Sequence, residues 1–152
     1  YMPMHYVVKK EIGKKKRILQ PLLPNLLFIY ATREAVNSII KKKEDELSVL
    51  KFYLDKTKPI EENGKHPPLI IPFAAMTNFI KATSTDSEHV RIVSAEQCHY
   101  KSGDTVKVIG GEFEGVIGKV ARVAGQQRVV VEISGLCLVA TAYIPNAFLE
   151  IK

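Results

Sequence analysis

The sequence predicts an α+β protein: a mostly antiparallel sheet with helices in residues 1–94, then a small closed β-barrel in residues 101–152. Two observations predict it. Residues 1–94 mix short apolar runs with two stretches of helical period, at 32–43 and 72–82. The last third holds about five short β-rich runs separated by glycine turns, the pattern of a small barrel. Hydrophobic residues make up 46% of the 152, so a core is available and the composition argues against disorder. That length suits one ordinary domain or two small ones.

Along the chain, residues 4–9 (MHYVVK) read as a strand. Residues 9–17 (KKEIGKKKR) read as a basic loop turning at Gly13. Residues 19–23 and Pro24-Asn25 lead into residues 26–31 (LLFIYA), apolar on both faces as a central strand is. Thr32 is placed to cap a helix, and Val36, Ile39 and Ile40 share one face of it. That helix ends in Lys41, Lys42 and Lys43, cations that suit a helix C-terminus. Residues 47–54 (LSVLKFYL) read as another strand. Residues 55–68 form a long polar loop with a turn at Asn63-Gly64. Pro72 can open a second helix, with Phe73, Met76, Phe79 and Ile80 along one face. Residues 90–93 are extended, and the domain boundary falls between Ser94 and Lys101.

Residues 104–123 (DTVKVIGGEFEGVIGKVARV) organise the last part. Val106 and Val108 alternate with polar neighbours, Gly110-Gly111 breaks the strand, and a second alternating run covers 116–123. Phe113 is the one large apolar group in the turn and should fold into the core; Gly115 and Gly118 let the chain bend back. Three more strands come after it, at 128–133, 137–143 and 148–151, giving an SH3-like barrel.

The net charge of +6 is unevenly spread: residues 1–98 carry 16 Lys and Arg against 11 Asp and Glu, whereas residues 99–152 carry 6 against 5. Attraction to nucleic acid therefore belongs to the first part. Lys14, Lys15, Lys16 and Arg17 are its sharpest concentration. Four cations on one loop can neutralise phosphates, or they can simply be solvated; the residues leave both open. Cys98 and Cys137 stand far apart and read as free thiols of a reducing cytoplasm. No apolar run approaches the ~18 residues of a membrane span. His5, His66, His89 and His99 make no metal-binding spacing, and no nucleophile–base constellation is visible. The expectation is a protein with no cofactor and no metal, acting by binding rather than by catalysis.

The motif at 104–123, with Gly110, Gly111, Phe113, Gly115 and Gly118, resembles the KOW motif of NusG-type transcription elongation factors and of some ribosomal proteins. Residues 14–30 (KKKRILQPLLPNLLFIY) resemble the NusG amino-terminal (NGN) domain, in which a basic loop precedes a Pro-centred start to a hydrophobic strand. The helix at 32–43, the strand at 47–54 and the helix at 71–82 are similar to the later elements of that domain. The resemblance covers nearly the whole chain. It implies a transcription elongation or antitermination factor that docks on the clamp helices of RNA polymerase and suppresses pausing. Leu23, Pro24, Leu26 and Phe28 are then the polymerase-binding candidates, and Lys14, Lys15, Lys16 and Arg17 face DNA near the transcription bubble.

Three departures shape what the resemblance implies. The family's first strand and helix have no counterpart, since Tyr1 already matches the second strand; the expectation is that they are disordered, removed or supplied by another chain. Asn25 and Leu26 replace the usual Gly-Tyr, which makes the pocket aliphatic. Ser134-Gly135-Leu136 stands where the general factor has Phe-Gly-Arg, the turn tied to termination factor Rho and a small-subunit ribosomal protein. With those two partners set aside, the barrel's partner is left unassigned, and the resemblance shifts to a specialised paralogue of the capsular-polysaccharide-operon type. The alternative from another class is a ribosome- or RNA-binding KOW protein, against which the near-neutral 99–152 segment argues.

Overall fold

The structure, a computed structural model, describes residues 1–41 and 49–152. The chain is α+β, with two α-helices and antiparallel sheets among the described residues. It packs as two compact units. The smaller comprises Tyr1 and Leu27–Ile70; the larger comprises Met2–Leu26 and Ile71–Lys152.

In the larger unit, β1 (Met4–Glu11) and β2 (Lys14–Pro21) form a two-stranded antiparallel hairpin, in register from Met4 opposite Pro21 to Glu11 opposite Lys14. The basic stretch expected as a loop is therefore mostly strand. Charge predicts exposure, and every residue from Lys9 to Arg17 is exposed; it does not decide backbone conformation. The decisive feature is the two-residue turn. Ile12 and Gly13 both have positive φ, at 32° and 74°, which matches the twist of the flanking strands.

The same unit holds a six-stranded sheet of order β3-β7-β6-β5-β4-β8. Its strands are β3 (Arg91–Val93), β4 (His99–Val108), β5 (Ile117–Val123), β6 (Gln126–Ile133), β7 (Cys137–Tyr143) and β8 (Leu149–Ile151). Alternating valines and glycine turns put β3 and β5 to β8 within a residue or two of where the sequence predicts them, whereas β4 starts at His99, well before the alternating run at 104–108. β4 carries a register shift between Tyr100 and Thr105, with Gly103 at φ 76°. The ladder does not close. β3 and β8, of three residues each, are its two edges, and no pairing joins them among the described residues. The expectation of a closed barrel is corrected to an open six-stranded sheet: edge strands this short present too little backbone to complete a ring.

Val93, Cys98, Ala121, Val123, Val130 and Ala140 form one core cluster. In β6, Val129, Val130 and Val131 are consecutive and all buried, so both faces of that strand are covered. Fully burying one such side chain stabilises by about 1.5–3 kcal/mol. Helix α2 (Phe73–Thr83) packs on β6 and β7. Its buried residues are Phe79, Ala82 and Thr83, whereas Phe73 is 70% exposed. Of the stripe that the sequence suggested, Phe79 is buried and Met76 and Ile80 are half-buried, and Phe73 alone departs from it, in the first turn. Asn78 fixes the helix to the sheet: its Oδ1 accepts from the Ile117 N–H at 2.7 Å, and its Nδ2 donates to the Ile117 carbonyl.

In the smaller unit, Thr32 caps α1 (Arg33–Lys41) as expected, its Oγ1 accepting from the Ala35 N–H at 3.2 Å. Val36, Ile39 and Ile40 are half-buried. Lys42 and Lys43, and Leu47 and Ser48 of the strand expected at 47–54, lie outside the described residues. From that expected strand Leu54 makes an isolated antiparallel bridge to Pro68. Gly64 turns at φ 75° between Glu61 and Lys65, where the sequence places a turn. Buried Asp55 accepts from the Thr57 hydroxyl at 2.6 Å, and this bond holds its carboxyl below the usual carboxylate value.

The central strand expected at residues 26–31 is not formed among the described residues. Tyr1 and Phe28 exchange backbone bonds, N–H to carbonyl, at 2.6 and 2.8 Å, and the segment joins no longer ladder. A central strand needs long neighbours on both sides, and one paired residue does not supply them.

Candidate functional site

The hairpin β1–β2 gathers the charge. Each strand has eight residues, so the ribbon is about 27 Å long. The register sets Lys9 opposite Lys16, Lys10 opposite Lys15 and Glu11 opposite Lys14. Five lysines therefore crowd the distal half against one glutamate. Because side chains alternate across a ribbon, Lys9, Lys14 and Lys16 share one face, and Lys10 and Lys15 share the other. The sequence singles out Lys14, Lys15 and Lys16. It does not show that Lys9 and Lys10 stand beside them, since that pairing depends on the two-residue turn. The symmetric flanking of Ile12-Gly13 by lysines was the one signal for it.

At the tip, Ile12 is fully exposed, at 104% of the reference area. A β-branched residue at positive φ is strained by roughly 1–3 kcal/mol. Sequence reasoning gave Ile12 no role.

Arg17 is used differently from the lysines. Its guanidinium lies 3.8 Å from the centroid of the Tyr6 ring, its Nε meets the Glu88 carboxylate at 2.8 Å, and its Nη2 donates to the Asp86 carbonyl at 2.7 Å. The ion pair is half exposed and contributes about 0–1 kcal/mol; its main effect is to fix the middle of the hairpin to the 86–88 segment. That segment is anchored in turn by Arg128, only 2% exposed, whose Nη1 donates to the carbonyls of His89 and Thr141 at 2.8 and 2.7 Å. Burial and the charge of Arg91 both push the Arg128 guanidinium below its ordinary pKa. The basic ribbon is thus mounted on the six-stranded sheet through two arginines.

The apolar candidates divide between the units. Leu23, Pro24 and Leu26 belong to the larger unit, with Leu23 and Leu26 half-buried and Pro24 exposed. Asn25 beside them adopts φ 58°, a left-handed value that asparagine tolerates well. Phe28 belongs to the smaller unit, half-buried, with its ring centroid 6.5 Å from that of Tyr1. Leu27, Ile29 and Tyr30 around it are exposed, Tyr30 at 92%.

Gly110, Gly111 and Gly115 lie in the turn between β4 and β5, and Gly118 lies in β5. Phe113 is 5% exposed, folded into the core as expected. A Cβ on Gly110 or Gly111 would come within 3.2–3.3 Å of the Phe148 ring, which covers that turn. Gly115 turns at φ 82°. At Gly118 a Cβ would collide with the Val130 carbonyl oxygen, so β5 and β6 approach too closely there for any side chain. These five residues shape the sheet.

Among the described residues, no group of three or more His, Cys, Asp or Glu side chains is placed to hold a metal ion, and no helix is long and apolar enough to cross a membrane. Comparison with family models, curated proteins and solved structures finds no match for this chain.

Proposed function

We propose that this chain is a NusG-like transcription elongation and antitermination factor, of the specialised kind that reads through long polysaccharide operons. Residues 1–94 correspond to the NGN-like, polymerase-binding part and residues 101–152 to the KOW part. It acts in the cytoplasm, without catalysis and without a cofactor. The segment with Leu23, Pro24, Leu26 and Phe28 docks on the clamp helices of RNA polymerase, an apolar surface taking a partner helix. The lysines Lys14, Lys15 and Lys16 contact DNA near the transcription bubble. Arg17, engaged with Glu88, serves this contact by holding the hairpin at its middle.

The observation that carries the reading is the order of features along one chain: a basic ribbon, the Pro24 segment directly after it, a capped helix, and then a sheet built on the Gly110-Gly111-Phe113-Gly115-Gly118 pattern. Exposed lysines on a mounted ribbon support a phosphate contact, which is sequence-blind and salt-dependent. The near-neutral 99–152 segment gives ribosomal-RNA binding little electrostatic support.

A pull-down with core RNA polymerase tests the docking. The wild-type chain should be retained. Leu26→Asp, which puts a charge on a half-buried apolar position, should lose at least tenfold in retention. Equal retention of the two, or none of the wild type, would remove the docking assignment.

A further inference from the structure

We propose that Ile12 is an apolar wedge that enters the minor groove of duplex DNA and partly unstacks one base step, while the lysines of the ribbon hold the phosphates on either side. The inference rests on the DNA contact proposed above and names the residue that meets the bases. Two independent observations point to Ile12. It is the most exposed large apolar residue of the described chain, at 104%. It also sits at φ 32°, where a β-branched side chain is strained and asparagine or glycine would be at ease. Strain held at an exposed tip marks a position used for something other than folding.

The charge around the tip identifies the occupant. Lys9, Lys14 and Lys16 project from one face of the ribbon, and Lys10 and Lys15 from the other. A groove has two phosphate walls, one for each face. A flat anionic membrane would engage one face and leave the other turned from it. A single isoleucine is also a small membrane anchor, whereas isoleucine is among the side chains that wedge between base steps. The step opened most easily is a pyrimidine–purine step such as TA.

The test uses the whole chain and a short duplex carrying 2-aminopurine at a TA step. Binding is followed by anisotropy across a salt series, and unstacking by 2-aminopurine fluorescence. Wild type should bind with a steep salt dependence and raise the fluorescence. Ile12→Asn, which suits the left-handed turn and touches no core, should keep the salt slope, lose the fluorescence rise and weaken binding about tenfold. The combined Lys14→Glu, Lys15→Glu, Lys16→Glu variant should flatten the salt slope by about 3. Thermal melts matching wild type establish that both variants are folded. An Ile12→Asn protein that unstacks the base as well as wild type overturns the wedge and leaves the lysine contact standing. Absence of salt-dependent duplex binding by wild type overturns both. Ile12-dependent binding to phosphatidylserine vesicles, with none to DNA, places the tip in a membrane and also overturns the proposal.

Discussion

Gly118 sits where β5 and β6 leave no volume for a methyl group, since an added Cβ would run into the Val130 carbonyl oxygen. Backbone cannot retreat as a flexible side chain can, so Gly118→Ala must pull the two strands apart. It should cost about 3 kcal/mol or more, read as a fall in the urea midpoint. The cysteines make a second prediction at this scale. Burial pushes the Cys137 thiol up to about 11 and raises Cys98 as well. At pH 8 roughly one Cys137 in a thousand is then a thiolate. Alkylation of Cys137 by iodoacetamide, followed by mass spectrometry, should be slow at that pH. It should quicken about tenfold per pH unit up to pH 10, and become fast once the chain is unfolded. Phe113 and Thr32 were legible as single residues, because a lone aromatic in a glycine turn and a hydroxyl before a helical period each have one good structural use. Ile12 was not: its exposure follows from the turn around it and not from its own chemistry.

At the scale of elements, the packing of α2 on the sheet is supplemented by one side chain that imitates a strand. Asn78 offers Ile117 both an acceptor and a donor, as a neighbouring backbone would. Asn78→Ala removes both bonds and should cost about 1–3 kcal/mol in chemical unfolding. Asn78→Asp keeps the acceptor, loses the donor and sets a carboxylate against the Ile117 carbonyl, so it should be no better than alanine. The sequence showed the helix and, in Met76, Phe79 and Ile80, its packed face; Phe73 completes the apolar stripe by spacing yet lies exposed in the first turn. The hairpin was hidden for a different reason. Its lysines carry no period-2 hydrophobic signal, so a strand pair with both faces in water reads as a loop. Of the basic site, the lysines on β2 were legible and those on β1 were not, since only the register of Lys9 with Lys16 and Lys10 with Lys15 brings them together.

For the molecule as a whole, the α+β class was legible from two periodicities, and β5 to β7 from valine alternation broken by glycine. Sheet closure was not, because it depends on the length of the edges, and β3 and β8 are three residues each. The strand expected at residues 26–31 failed for a related reason: apolar character on both faces marks a segment fit for a sheet centre, but neighbours make the sheet. In the proposed function, the apolar segment at 23–28 docks on polymerase while the basic ribbon holds DNA, and the two must act together. Transcription in vitro by purified RNA polymerase across a terminator measures this directly. The account predicts that added wild-type chain increases read-through, and that Leu26→Asp and the Lys14→Glu, Lys15→Glu, Lys16→Glu variant each lose most of the increase. Read-through unchanged by the wild-type chain, or raised equally by all three proteins, would contradict it.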